Sequence, residues 1–185
     1  RQRFEVVGQN LTRISELANR MGRIIRNLRA FARQENAPVR PIDPLPVIEA
    51  ALEMVGPRLR SRGVSLSWTP PEGPVRVMAG EVRLQQVVMN LISNALDAMG
   101  ETDHQSLQIA VEPGLDDVAI TVADSGPGIA NPDRIFDPFY TTKEVGVSEG
   151  MGLGLSISYG LVQSFGGNIE GRNRAEGGAV FTVTL

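Results

Sequence analysis

From Glu81 to Met99 the apolar positions are Leu84, Val87, Val88, Leu91, Ile92, Ala95, Leu96 and Met99. Their recurrence at i, i+3 and i+4 predicts a helix whose apolar stripe is broad enough to face a core. Asn90, Asn94 and Asp97 fall at i, i+4 and i+7 of the same cylinder, so they stack along one line. Asparagine is a middling helix former, and two amides one turn apart beside a buried stripe need a reason. On this helix alone two readings stand level. One is a polar strip that hydrogen-bonds nearby loops; the other is a set of oxygen ligands of the kind Mg²⁺ takes.

The remaining pattern divides the chain. In residues 1–37 the positions Val7, Ile14, Leu17, Met21, Ile24, Leu28 and Phe31 make a heptad seam, predicting one long coiled-coil-like helix that needs partner helices. Residues 38–46 carry Pro38, Pro41, Pro44 and Pro46 and read as a linker. Beyond it, residues 47–185 predict helices over Val47–Arg62, Glu81–Met99 and Gly152–Phe165. Strands are expected over Val64–Thr69, Val75–Met78, Leu107–Glu112, Asp117–Ala123, Asn168–Gly171 and Ala179–Leu185. The fold class is α/β (α+β): a two-layer sandwich, with a mixed, mainly antiparallel sheet covered on one face by helices. The irregular stretch Ala130–Gly150 is long for a compact domain and reads as a lid or binding loop.

Composition narrows the chemistry. With 42% hydrophobic residues in 185, the chain can build a core. It has no cysteine, which excludes disulfides, thiolate metal sites and cysteine nucleophiles. No apolar run is long enough to span a membrane. The net charge of −3 is uneven: residues 1–40 hold nine basic against three acidic residues, and the remainder nine against 18. A basic helical face can mean nucleic acid or an anionic membrane surface; lacking aromatics to stack on bases, it reads rather as a solvated face or one that meets an acidic protein partner. The single histidine, His104, lies in a polar segment and reads as an exposed loop residue.

The candidate chemistry lies in three glycine-bearing segments. Gly150, Gly152 and Gly154, in the run Gly150-Met151-Gly152-Leu153-Gly154-Leu155, precede a predicted helix. Free N–H groups and the positive dipole end make such a terminus an anion site. No Gly-Lys-Ser/Thr follows, so it is not a Walker A loop, and no strand precedes it, so it is not a Rossmann fingerprint. Asp124 ends a strand and is followed by Gly126, Gly128 and Ile129. A buried carboxylate there can accept from an exocyclic amine such as adenine N6, with the glycines letting a flat base approach; the plain alternative is an Asp-x-Gly turn. Lys143, in the lid segment Phe139-Tyr140-Thr141-Thr142-Lys143, can meet a terminal phosphate as a point charge.

In order, these segments resemble the ATP-binding domain of two-component sensor histidine kinases, within the wider superfamily of gyrase, heat-shock chaperone and MutL ATPases. Residues 90–99 resemble the family's N box, 124–129 its first glycine box, 136–143 its F box and 150–157 its second glycine box. The resemblance implies the Bergerat-type ATP fold, with ATP and Mg²⁺ bound. Asn94 would be the Mg²⁺ ligand, Asn90 would lie near the phosphates, Asp97 would be among the ATP-binding residues, Asp124 would hold adenine, and Gly150–Leu155 would wrap the phosphates. Phe136 and Phe139 would anchor the lid, and Tyr140–Lys143 would approach the nucleotide. Residues 1–37 resemble the second helix of the family's dimerisation and phosphoacceptor hairpin, most like sensors of C4-dicarboxylate transport and their nitrogen-sensing relatives. The first helix, with its phosphoacceptor histidine, is not in the sequence. The implied protein is the cytoplasmic part of a bacterial inner-membrane sensor, reaching the membrane only through segments outside this chain. Its partners would be that first helix, a second kinase subunit and a response regulator. Asn90 stands where the superfamily's ATPases often carry a water-activating Glu, and an amide cannot act as a general base. That favours transfer to histidine over hydrolysis, with Asn90 and Lys143 as the catalytic groups. A switching ATPase, or an interaction module with a degenerate pocket, are the other readings.

Overall fold

The computed structural model describes residues 38–100, 104–142 and 152–185. The chain divides into Arg1–Ala37 and Pro38–Leu185; the heptad segment lies outside the described residues, and so do Lys143, Gly150 and Met151.

The elements run β1 (Arg40–Ile42), α1 (Pro44–Arg62), β2 (Ser65–Thr69), β3 (Val77–Ala79), α2 (Glu81–Met99), β4 (Ser106–Pro113) and β5 (Val118–Asp124). After a 3₁₀ turn (Pro132–Arg134) come α3 (Gly154–Ser164), β6 (Asn168–Asn173) and β7 (Ala179–Thr184). Five strands form a sheet in the order β2-β4-β5-β7-β6. Only the β2–β4 pair is parallel; the others are antiparallel. This is the expected mixed, mainly antiparallel sheet.

Alternation sets its two faces. Leu107, Ile109 and Val111 of β4, Ile120 and Val122 of β5, Ile169 of β6 and Phe181 and Val183 of β7 are buried. They pack with Ile48, Ala51 and Val55 of α1, the apolar stripe of α2, and Leu161, Val162 and Phe165 beside α3. Burying each large side chain contributes about 1.5–3 kcal/mol. The other face carries smaller and polar side chains, among them Gln108, Ala110, Thr121 and Val180, lining an open groove of about 300 Å³.

Residues 38–46 are not a linker. Arg40–Ile42 pairs antiparallel with β3, Arg40 opposite Ala79 and Ile42 opposite Val77. Asp43 then caps α1, its Oδ1 accepting the Leu45 N–H at 3.0 Å. Pro44 and Pro46 occupy the first turn, where a missing N–H costs nothing because no intrahelical acceptor exists there. The prolines mark a helix start, three residues earlier than the expected one.

Helix α2 has the bounds its periodicity predicts. Two arginines one turn apart on α1 hold its C-terminal half. Arg58 donates to Ser93 Oγ at 3.1 Å and pairs with Asp97, and Arg62 donates to the Leu96 carbonyl at 2.7 Å. At the other end the buried Arg83 reaches Ser164 Oγ at 3.4 Å and lies 5.1 Å over the Phe165 ring. These contacts fix α2 between α1 and α3.

Candidate functional site

The amide line of α2 faces the N-terminus of α3. Asn90 Nδ2 donates to the Gly154 carbonyl and to Ser158 Oγ, both at 3.2 Å. Ser158 is fully buried, so this bond also satisfies a core hydroxyl. A Cβ placed on Gly154 would lie 3.9 Å from both Asn90 Cγ and Asn94 Nδ2. The two amides therefore sit together beneath the first turn of α3, whose leading N–H groups have no intrahelical partner. Asp97, on the same line, is engaged by Arg58 instead. Its carboxylate braces α1 against α2.

Asp124 ends β5 and is 1% exposed. Its Oδ1 accepts the Gly126 N–H at 2.8 Å and the Ala179 N–H at 3.3 Å. Neither bond uses Oδ2. Burial pushes the carboxyl above its ordinary range, and the two N–H bonds and the Arg174 charge oppose that rise. The Asp-x-Gly turn and the acceptor role are thus compatible: one oxygen closes the turn and the other is left for a ligand. Gly178 has φ +87°, and a Cβ there would overlap the Asp124 carbonyl oxygen, so only glycine fits.

The Asp124 loop reaches the amide helix. A Cβ on Gly126 would lie 3.2 Å from the Ala98 backbone, one turn beyond Asn94. Gly128 and Ile129 continue this loop, and the Ile129 peptide groups are held by the side chain of Asn173. Ser125 ties its start to β4: its Oγ accepts the Ser106 N–H at 2.9 Å and donates to the His104 carbonyl at 3.0 Å. His104 itself is exposed, as expected of a loop residue.

The lid approaches from the other side. Ile135 is buried and Phe136 packs on the core, its ring 5.5 Å from that of Tyr159. Phe139 is no anchor, being 73% exposed with φ 65°, a conformation L residues rarely adopt. Its N–H donates to the Gly152 carbonyl at 2.9 Å. Gly152, at φ +66°, is where a Cβ would overlap the Tyr140 carbonyl. The described glycines of the segment therefore differ in role: Gly152 lets the lid cross the chain, and α3 begins at Gly154. Leu153 precedes that helix and Leu155 packs on the core. The Tyr140 hydroxyl accepts from Asn131 Nδ2 at 2.7 Å, with Arg134 5.0 Å from its ring. Thr141 and Thr142 close the described part of the lid.

Sequence reasoning missed Ser158, Asn173 and Arg174. Ser158 lies one turn after Gly154, a spacing that could have flagged it; the other two gain their roles only from strand register.

The donor set fits a nucleotide. A desolvated carboxylate with an unused oxygen, two amides and a helix N-terminus offer an acceptor for an amine at one end and N–H groups for phosphate at the other. No group of three or more His, Cys, Asp or Glu that could hold a metal occurs among the described residues. Mg²⁺ takes oxygen ligands and is usually held by few protein groups plus substrate phosphates, and the amide oxygen of Asn94 is an oxygen donor. No helix among the described residues is long and apolar enough to cross a membrane.

Comparison with known proteins bears directly on this site. Residues 79–185 match the family model described as histidine kinase-, DNA gyrase B- and HSP90-like ATPase. The C4-dicarboxylate transport sensor protein DctB of Pseudomonas aeruginosa is 39% identical over 187 residues, covering 100% of this chain and 30% of that protein. The histidine kinase ThkA, solved in complex with the response regulator protein TrrA, superimposes with a TM-score of 0.72 at 25% identity, covering 91% of this chain and 48% of that one. Full-length ShkA, solved with AMPPNP, gives a TM-score of 0.68 at 29% identity, covering 84% of this chain and 33% of that one.

Proposed function

The chain belongs to the family of histidine kinase-, DNA gyrase B- and HSP90-like ATPases, as the ATP-binding catalytic domain of a sensor histidine kinase, and we propose from this premise that it delivers the ATP γ-phosphate to a histidine. The observation that carries the reading is the meeting of Asn90, Asn94 and the Gly154 end of α3. In this reading Asp124 Oδ2 accepts from adenine N6, an interaction guanine cannot offer because its matching group is a carbonyl. The α3 N–H groups and dipole face the phosphates. Asn94 would offer an amide oxygen to Mg²⁺, and the ion when bound would supply charge neutralisation at the phosphates. Asn90, fixed by Gly154 and Ser158, holds the α3 terminus in place beside the phosphates. Lys143, with Tyr140–Thr142, closes from the lid.

The acceptor imidazole nitrogen attacks the γ-phosphorus in line as the bond to the bridging oxygen breaks, leaving ADP. Asn90 is an amide and cannot deprotonate water, so transfer is favoured over hydrolysis. The histidine belongs to a phosphoacceptor helix outside this sequence, with residues 1–37 as its hairpin partner and a second subunit completing the bundle. Relay to a response-regulator aspartate follows. Kinship to C4-dicarboxylate sensors points to the cytoplasmic side of an inner-membrane receptor, attached through segments beyond this chain.

The test combines the chain, Mg²⁺, radiolabelled ATP and a separately produced phosphoacceptor hairpin. An acid-labile, base-stable phosphohistidine is expected on the hairpin. ATP binding with no labelled histidine, or steady phosphate release without acceptor, would overturn the transfer reading.

A further inference from the structure

Asn173 ends β6, opposite Ala179 in the register, and its side chain reaches out of the sheet to another segment. Its Oδ1 accepts the Ile129 N–H at 2.6 Å and its Nδ2 donates to the Ile129 carbonyl at 3.0 Å. One amide thus satisfies both backbone groups of a residue 44 positions away, as a neighbouring strand would. Two residues earlier, Gly171 makes room for the same segment. A Cβ there would lie 2.6 Å from Ile135 Cδ1 and 3.1 Å from Ile129 Cδ1. The following residue, Arg174, donates from Nη1 to the Asp124 carbonyl at 3.2 Å. The end of β6 therefore grips both ends of Asp124–Ile129. That loop contains two glycines and would otherwise have wide conformational freedom.

We infer that Asn173 is a positioning residue for the purine end of the nucleotide site. It holds the Asp124–Ile129 loop in its binding conformation before ligand arrives, so ordering cost is not charged against affinity. This rests on the nucleotide reading above. The side chain is exposed, so its loss leaves the core intact. Loop preorganisation acts through the base, whereas the amides of α2 act at the phosphate end, and the two are separable by ligand truncation.

The experiment is calorimetric titration of the intact chain with adenosine, ADP and Mg-ATP. Asn173→Ala should weaken all three by about the same factor, on the order of tenfold, with the melting temperature close to the parent's. Asn173→Asp keeps an acceptor for the Ile129 N–H but sets a carboxylate oxygen against the Ile129 carbonyl, so it should bind as weakly as Asn173→Ala. Parental affinity in either folded variant, or a loss confined to Mg-ATP, would overturn the inference. A parent chain that binds none of the three would instead remove the nucleotide reading, and this inference with it.

Discussion

Replacing Asp124 with Asn separates what the carboxylate does for ligand from what it does for the fold. Both N–H donors, from Gly126 and Ala179, bond to Oδ1, and an amide oxygen can replace it. Oδ2 becomes an NH₂ group, which faces an adenine N6 amine donor to donor. A hydrogen bond to a charged acceptor is worth about 1.5–3 kcal/mol, and a mispaired buried donor adds a cost of about 1–3 kcal/mol. A loss near 3 kcal/mol corresponds to roughly a hundredfold weaker binding. Guanine presents a carbonyl at that position and can accept from the new NH₂, so the ratio of ATP to GTP affinity should fall further than ATP affinity alone. Folding should respond in the opposite sense. Burial holds the folded-state pKa of Asp124 above its unfolded value, so the ionised carboxylate is unfavourable to folding at neutral pH, and stability tied to its proton is lost as pH rises through the folded pKa. Asp124→Asn should therefore melt at or above the parent temperature at pH 7, with the gap closing as pH falls and the parent becomes protonated. Calorimetry with ATP, ADP and GTP and melting curves across pH supply the readout. Binding within threefold of the parent, or a variant that melts far below it at pH 7, would refute the assignment of the two oxygens.

Further outcomes follow from the same geometry. ADP affinity of the parent should drop as pH falls through the raised Asp124 pKa, up to about tenfold per pH unit below it, while Asp124→Asn shows a flat profile; equal slopes by calorimetry would count against the carboxylate. Asn94→Ala should cost Mg-ATP far more than adenosine, and because Asn94 is only half-buried its melting temperature should shift little, within about 1 kcal/mol of stability; full phosphotransfer by this variant would rule out the metal role. Gly178→Ala forces a Cβ into the Asp124 carbonyl at a left-handed φ, so a loss of about 3 kcal/mol or more is expected by urea unfolding; Gly177→Ala, strained by its φ of +97° but with no atom within 4 Å of the added Cβ, should lose less.

Legibility in the sequence tracked the distance over which each cause acts. Helix α2 runs Glu81–Met99 as its apolar spacing alone requires, and the strands β4, β5 and β7 follow from local alternation. Asp124 was identifiable because a strand end, an acid and two glycines are neighbours in the chain. Errors came where a partner far along the sequence decided the outcome. Pro41 reads as linker until β3, 37 residues on, pairs with it. Nor does the line Asp97 shares with Asn90 and Asn94 reveal that Arg58, 39 residues earlier, pairs with its carboxylate. The three glycines at 150, 152 and 154 look equivalent in one dimension, yet Gly152 is set by the lid backbone lying against it and Gly154 by the amides below it. Asn173 carried no signal at all, because its value lies in a side-chain contact with Ile129, 44 residues earlier. A site built from four segments is thus readable where each segment brings its own chemistry, and unreadable where one side chain only holds another segment still. The latter residues decide how closely the former are aligned, so affinity should be more sensitive to them than their exposed positions suggest.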